Sequence, residues 1–310
     1  MMNRRSFLGA SALTAAGLGL GCATTNNAMA ASTTVPSVPP SFKLKFAPHL
    51  GMFKHHAGED PLDQLSFMAD QGFSAYEDNG MKGRDIALQE KMASLMANRG
   101  LEMGVFVAHK IYWREATLAK GDDDSRAEFL DNIATSVDVA KRVNAKWMTV
   151  VPGHVDLRQD MGYQTAHVVE TLKRASAILE PHGITMVLEP LNFRDHPGLF
   201  LTKSAQAYSI CQAVDSPSCK ILFDIYHQQI QEGNLIPNME NSWDEIAYIQ
   251  IGDNPGRKEP TTGEINYKNV FQFIHDKGFP GILGMEHGNF HEGMDGEKKL
   301  IAAYRSVDVG

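Results

Sequence analysis

Short apolar runs alternate with amphipathic stretches along most of the chain, the pattern of repeated βα units. Strands are predicted over 42–47, 73–78, 102–108, 147–151, 184–188, 220–224, 247–252 and 281–285. Asp60-Pro61 opens the first helix as N-cap and first-turn proline. Its apolar stripe is Leu62, Leu65 and Met68, and Gly72 ends it. Further helices are predicted over 84–99, 122–143, 163–179, 204–214, 267–277 and 297–305. Asp122-Asp123-Asp124 puts negative charge at the start of one of them, where the helix dipole favours it. Met92 and Met96 recur at helical spacing and read as core, and His55-His56 reads as a loop pair near the first strand end. Eight strands with about eight helical segments, one repeat per ~33 residues, predict an α/β fold, the (β/α)8 TIM barrel, as one domain over 42–310. An open doubly wound sheet is the competing architecture. No G-x-G-x-x-G follows the first strand and no P-loop is present, which disfavours it.

The first thirty residues break this pattern. Arg4-Arg5 precede Ser6-Phe7-Leu8 and a weakly apolar Ala/Leu/Gly stretch to Ala23, the form of a twin-arginine export signal. Ala28-Met29-Ala30 has the small-x-small form of a peptidase site, so cleavage is expected after Ala30 and the mature protein in the periplasm. Cys22 hints at lipidation, but Gly19 stands where a lipoprotein signal usually has Leu. Residues 31–41 are rich in Ser, Thr and Pro and read as a flexible spacer.

Charge and cysteine content then narrow the function classes. The chain has 310 residues with 29 basic and 37 acidic side chains, a net of -8; without the leader's two arginines the net is -10. That balance argues against a duplex nucleic-acid binder, which wants a basic face. Three cysteines do not build a disulfide scaffold or a cysteine-ligated zinc module. Cys211 and Cys219 flank one helix–strand connection; two buried free thiols are favoured there over a disulfide. No apolar run reaches the ~20 residues of a membrane-spanning helix. A homo-oligomer is compatible with the sequence.

In such barrels chemistry lies at the C-terminal ends of the strands. There the chain carries Glu189, Asp224, Gln250 and Glu286, spaced by 35, 26 and 36 residues, each about one repeat. Four oxygen-bearing side chains from four successive strands would converge on one point. Three carboxylates that close repel unless a cation lies between them. Hard oxygen donors with one amide suit Mg²⁺ or Mn²⁺. The opposing reading is that each acid only caps the helix that follows it. Glu77, His109 and His154 end strands two, three and four and are weaker candidates for substrate contact.

Four stretches carry a resemblance: LEPLN (188–192), FDIYHQQ (223–229), IQIGDNPGRKEPTTGEINY (249–267) and GMEHG (284–288). Over residues 42–305 the chain resembles the hydroxypyruvate isomerase family, a branch of the xylose-isomerase-like TIM barrels that also includes ketose 3-epimerases. The resemblance implies a divalent metal held by Glu189, Asp224, Gln250 and Glu286, and substrate contacts from His227 and Arg257. In the related epimerases a histidine stands where Gln250 is, so the glutamine favours the isomerase branch. The implied reaction is aldose–ketose isomerisation of a small hydroxy-carbonyl compound, hydroxypyruvate and tartronate semialdehyde above all. Glu189 and Glu286 form the expected acid/base pair, and Asp224 and Gln250 only hold the ion. Three alternatives accompany this reading: a sugar 3-epimerase or sugar isomerase on the same metal site, a non-enzymatic periplasmic binding module, and a DNA-repair endonuclease. The last would need a histidine-rich multi-zinc site and a polyanion-binding surface, which the net charge disfavours.

Overall fold

The computed structural model describes residues 40–310. The expected leader, with Cys22, and residues 31–39 of the expected spacer lie outside the described residues. Eight strands appear in chain order: β1 (Phe46–Ala47), β2 (Ala75–Tyr76), β3 (Glu102–Met103), β4 (Trp147–Val150), β5 (Thr185–Leu188), β6 (Cys219–Asp224), β7 (Ile246–Gln250) and β8 (Leu283–Gly284). Ten α-helices lie among them: α1 (Lys54–Ala57), α2 (Pro61–Asp70), α3 (Ile86–Arg99), α4 (Asp123–Val143), α5 (Met161–Leu179), α6 (Ser204–Val214), α7 (Ile225–Gln231), α8 (Leu235–Ser242), α9 (Tyr267–Asp276) and α10 (Gly293–Val307).

Six strands pair in the order β1-β8-β7-β6-β5-β4, and β2 pairs with β3, all in parallel. Backbone hydrogen bonds bridge the two seams. Glu77 N donates to Pro48 O at 3.0 Å beyond β1 and β2, and Thr149 N donates to Phe106 O at 2.8 Å between the chain after β3 and β4. The circle closes as the eight-fold repeat predicts.

Successive side chains on a strand point to opposite faces. Leu188, Phe223 and Ile249 therefore face outward and join the layer between sheet and helices. Ala47, Ala75, Val105, Val187, Leu222, Tyr248 and Ile282 fill the interior. The residue two positions beyond an interior residue faces the same way, one layer nearer the mouth. Ala75, Val187, Leu222 and Tyr248 are thus followed by Glu77, Glu189, Asp224 and Gln250.

The helix starts follow local chemistry. Asp60 accepts from Leu62 N at 2.7 Å with Pro61 in the first turn, and Asp122 accepts from Ser125 N at 2.9 Å. Met92 and Met96 are buried on α3. Cys211 and Cys219 are buried free thiols. Several expectations need correction. β2, β3 and β8 are each two residues long rather than six, seven and five. The first strand is two residues long rather than six, because Lys43 N and Leu44 N bind the Asp308 carboxylate, at 2.8 and 3.2 Å, instead of a neighbouring strand. The short helices α7 and α8 were not anticipated; they fill the connection between β6 and β7. His55 and His56 lie in α1, not in a loop.

The last point has a physical cause. The fully buried Glu297 carboxylate, on α10, accepts from His55 N at 2.7 Å and His56 N at 3.0 Å, and also pairs with His56 Nδ1. It ties α1 to α10 across the β1/β8 side of the barrel. Replacing it strands two backbone donors in a buried place. Glu297→Ala is expected to cost about 3 kcal/mol and to lower the melting temperature by roughly 6–12 °C. Calorimetry checks this, and a shift under about 2 °C would remove Glu297 from the account of how the barrel is held shut.

Candidate active site

Register and alternation bring the candidate side chains together. Asp224 and Gln250 are direct partners in the β6/β7 ladder, and Gln250 pairs with Gly284 in β7/β8, two residues before Glu286. Oxygens of Glu189 and Asp224 and a ring nitrogen of His227 lie within 4.8 Å of one another, all three residues buried. Glu286 joins through Arg257, whose Nη2 donates to Glu286 Oε2 at 2.7 Å and to Asp224 Oδ2 at 3.1 Å. Glu189 thus lies beside Asp224 and His227, and Asp224, Gln250 and Glu286 are linked by ladder register and by Arg257.

Arg257 arrives from the long loop after β7. The buried Asp253 carboxylate holds that loop by accepting from Asn254 N at 2.9 Å, Gly263 N at 2.8 Å and Ile265 N at 3.1 Å. Asp253 N also donates to Lys258 O at 2.7 Å, closing the turn that folds Arg257 back over the mouth. There Arg257 Nε donates to Glu286 O at 3.0 Å, and its guanidinium lies 4.9 Å from the Tyr226 ring.

Asp224 does two jobs. Its Oδ1 accepts from Tyr226 N at 2.8 Å and His227 N at 3.2 Å, so it caps α7, while Oδ2 stays turned to the site. Capping and site membership, opposed on the sequence alone, are divided between its two oxygens. His227 stands in the first turn of α7. Its Nδ1 accepts from Asn192 N at 3.4 Å and meets Asn192 Nδ2 at 2.6 Å, which assigns the proton to Nε2. Nε2 faces Asp224 Oδ2 at 3.6 Å and Glu189 Oε1 at 3.9 Å and has no hydrogen-bond partner among the described residues. Burial lowers its pKa to about 4, so the ring is neutral at pH 7.

The carboxyls respond to burial and to one another. Burial, then the neighbouring Glu286 and Asp224 charges, raise the Glu189 pKa well above the ordinary carboxylate range. Burial pushes Glu286 up to about 7, with Arg257 pulling against it and Asp224 adding to it. Burial works against the Arg257 cation, yet Glu286 and Asp224 outweigh it and raise its pKa. One guanidinium thus serves a cluster of carboxyls, leaving an excess of negative potential.

Glu77, a candidate for substrate contact, is committed to its neighbours. It is 1% exposed and both its oxygens are taken: Oε2 by Tyr248 OH at 2.8 Å and Oε1 by Gln250 Nε2 at 3.0 Å. A Cβ on Gly284 would stand 1.8 Å from Glu77 Oε2, and one on Gly104 would stand 2.4 Å from Tyr248 OH, so this layer closes only with glycine at both places. Gln250 Oε1 is buried without a hydrogen-bond partner among the described residues. His109 packs edge-on to Phe129; its Nδ1 binds Lys110 O at 2.9 Å and its Nε2 accepts from Val151 N at 3.2 Å, so both nitrogens serve the backbone. His154 Nδ1 binds Val155 O at 2.9 Å, and its Nε2 lies 2.0 Å from where a Cβ on Gly198 would be.

Sequence reasoning missed the supporting shell. Asn79 Nδ2 donates to Glu286 Oε1 at 2.9 Å, Asn192 fixes His227, and Tyr248 holds Glu77. Tyr248 was within reach, since alternation places it on the face of Gln250. Asn79 and Asn192 lie past strand ends, where no period applies. Beside Glu286 opens a cavity of about 280 Å³, lined by His49, Leu50, Glu77, Asn79 and Arg84 among others.

A family model for the xylose isomerase-like TIM barrel matches residues 65–307. The 2-oxo-tetronate isomerase of Cupriavidus necator is 31% identical over 245 residues, which is 78% of this chain and 92% of that protein. The hydroxypyruvate isomerase of Escherichia coli is 36% identical over 160 residues, 52% of this chain and 62% of that protein. Among solved structures, AP endonuclease, family 2, from Brucella melitensis superposes with a TM-score of 0.73 at 23% identity, over 86% of this chain and all of the other. A 3-keto-D-glucoside 4-epimerase from E. coli gives 0.71 at 17%, over 85% of this chain and all of the other. These superpositions speak to the barrel alone. With the family match spanning most of the barrel, the chain belongs to the xylose isomerase-like TIM-barrel family.

Proposed function

We propose that this chain is a metal-dependent isomerase of a short hydroxy-carbonyl acid, with the hydroxypyruvate/tartronate semialdehyde pair as the leading substrate. The observation that carries the reading is the convergence of Glu189, Asp224, Gln250 and Glu286 at the barrel mouth. Similarity to relatives named for hydroxypyruvate and 2-oxo-tetronate isomerisation supports the substrate class. The donor set fits a hard divalent cation on two grounds. The clustered carboxyls are balanced by one guanidinium, and the buried Gln250 Oε1 lacks a partner among the described residues. Glu189, Asp224, Gln250 and Glu286 would hold Mg²⁺ or Mn²⁺. When bound, the ion supplies Lewis-acid polarisation of a carbonyl and the neighbouring hydroxyl.

The protein's own side chains account for the rest. Isomerisation moves one proton from the carbinol carbon to the former carbonyl carbon, and one from the hydroxyl to the carbonyl oxygen. Glu189 and Glu286, reaching the site from different strands, take and return the carbon-bound proton. A carboxyl with its pKa near 7, as at Glu286, is suited to both halves of that transfer. His227, neutral and carrying its proton on Nε2, offers a donor to a substrate oxygen. Arg257, with Nε and Nη2 engaged by Glu286 and Asp224, would offer Nη1 to the substrate carboxylate.

A ketose 3-epimerase or sugar isomerase on the same site is the second reading; the glutamine at 250, where the resemblance gives epimerases a histidine, weighs against it. The multi-zinc endonuclease reading lacks its ligands: among the described residues the only metal-capable group of acids, histidines and cysteines is Glu189, Asp224 and His227.

Glu189→Gln and Glu286→Gln are each expected to lower kcat on hydroxypyruvate by about 10²–10⁴ with the fold intact. Steady-state assays beside a ketose panel check this; turnover of ketoses alone would sink the substrate assignment, and full activity of either variant the acid/base pair. Protons on Glu189 and Glu286 compete with a cation. Since both pKa values are raised, Mn²⁺ affinity is expected to climb as pH rises through about 7 and to fall below it. Titration calorimetry between pH 5.5 and 8.5 reads this, and a flat profile contradicts it. Export by the twin-arginine route rests on Arg4-Arg5. Exchanging both for Lys is expected to keep the protein in the cytoplasm of a fractionated host, whereas undiminished periplasmic recovery would discard the assignment.

A further inference from the structure

We infer that Glu77 is a positioning residue, which acts through Gln250 by fixing the direction of its amide and so aims Oε1 at the cation. This rests on the metal-site reading above. Glu77 lies two residues beyond the interior Ala75, on the face that carries Glu189, Asp224 and Gln250 on their strands. It is almost wholly buried, and its two oxygens receive Tyr248 OH and Gln250 Nε2. A buried carboxylate beside other acids is costly, and a neutral side chain could also fill the space. What Glu77 adds is two oxygens that both accept, one from Tyr248 OH and one from Gln250 Nε2. An amide placed against it must present its NH₂, and its oxygen is left pointing away. That is the arrangement found: Nε2 of Gln250 is on Glu77, and Oε1 is buried without a partner among the described residues. Tyr248 holds the other oxygen of Glu77, and the absence of side chains at Gly104 and Gly284 leaves room for the pair.

An amide at position 77 would act differently. It could accept from Gln250 Nε2 or donate to Gln250 Oε1, with Tyr248 OH adapting to either. Half the molecules would then present the oxygen, and cation affinity would fall about twofold. An apolar side chain of similar length would leave Nε2 with no acceptor and the amide with no preferred direction. Loss of such an outer partner costs about 10- to 100-fold in metal affinity.

The test measures Mn²⁺ binding to the full chain by calorimetry and by the electron paramagnetic resonance signal of free Mn²⁺, without substrate. Glu77→Met is expected to weaken binding about 10- to 100-fold, and Glu77→Gln no more than about threefold. In a Gln250→Ala background, Glu77→Met is expected to add nothing, since the group it positions is gone. Equal losses in Glu77→Met and Glu77→Gln would mean that charge, not direction, matters, and would overturn the inference. So would an unchanged affinity in Glu77→Met, or losses that add with Gln250→Ala. Should the Met variant not fold, Glu77→Leu replaces it as the apolar variant, with the same roughly 10- to 100-fold loss expected; an unchanged affinity overturns the inference. If the parent chain binds Mn²⁺ and only the variants behave otherwise, the positioning role alone falls. If the parent takes up no Mn²⁺, the metal reading falls with it.

Discussion

Repulsion among carboxyls held out of water governs the upper end of this barrel. Glu189 lies beside Asp224, Arg257 joins Asp224 to Glu286, and Glu77 adjoins them through Gln250. In a low-dielectric setting such a cluster either binds protons or attracts a cation. Both responses are visible. The Glu189 and Glu286 carboxyls hold protons more tightly than free ones, and Arg257 is drawn between Asp224 and Glu286. A site with this tension is suited to proton transfer, because burial raises the Glu286 pKa to about 7.

Much of the surrounding structure keeps this cluster in place. Asp253 spends its carboxylate on three backbone amides so that the loop carrying Arg257 has one shape. Asn192 fixes the tautomer of His227, and Asn79 steadies Glu286. Asp224 caps α7 with one oxygen while offering the other to the site, which places His227 one turn away on a rigid element. These are side chains with no chemistry of their own. They set directions for those that have it, and such partners hold an active constellation within tolerance.

The candidate histidines divide along the same line. His227 has a free, buried Nε2 facing carboxylates, whereas His109 has both nitrogens bound to backbone. In sequence both are polar residues near a strand end. Only the identity of their hydrogen-bond partners tells a group able to meet substrate from one that satisfies the chain.

Local sequence carried the repeat, the start of α2 at Asp60-Pro61, the bounds of α4 and α6, and the placing of Glu189, Asp224 and Gln250 just beyond interior strand residues. Each depends on short-range rules: capping within three residues, and alternation on strands whose ends share a face. Tertiary structure decided the rest. It shortened β1 by handing its backbone donors to Asp308, made α1 a helix by lending it Glu297 from the far end of the chain, and bound both oxygens of Glu77 to Tyr248 and Gln250. Those outcomes hinge on partners up to 265 residues away. Period and propensity describe neighbours along the chain, and contacts of that span exist only once the barrel has closed.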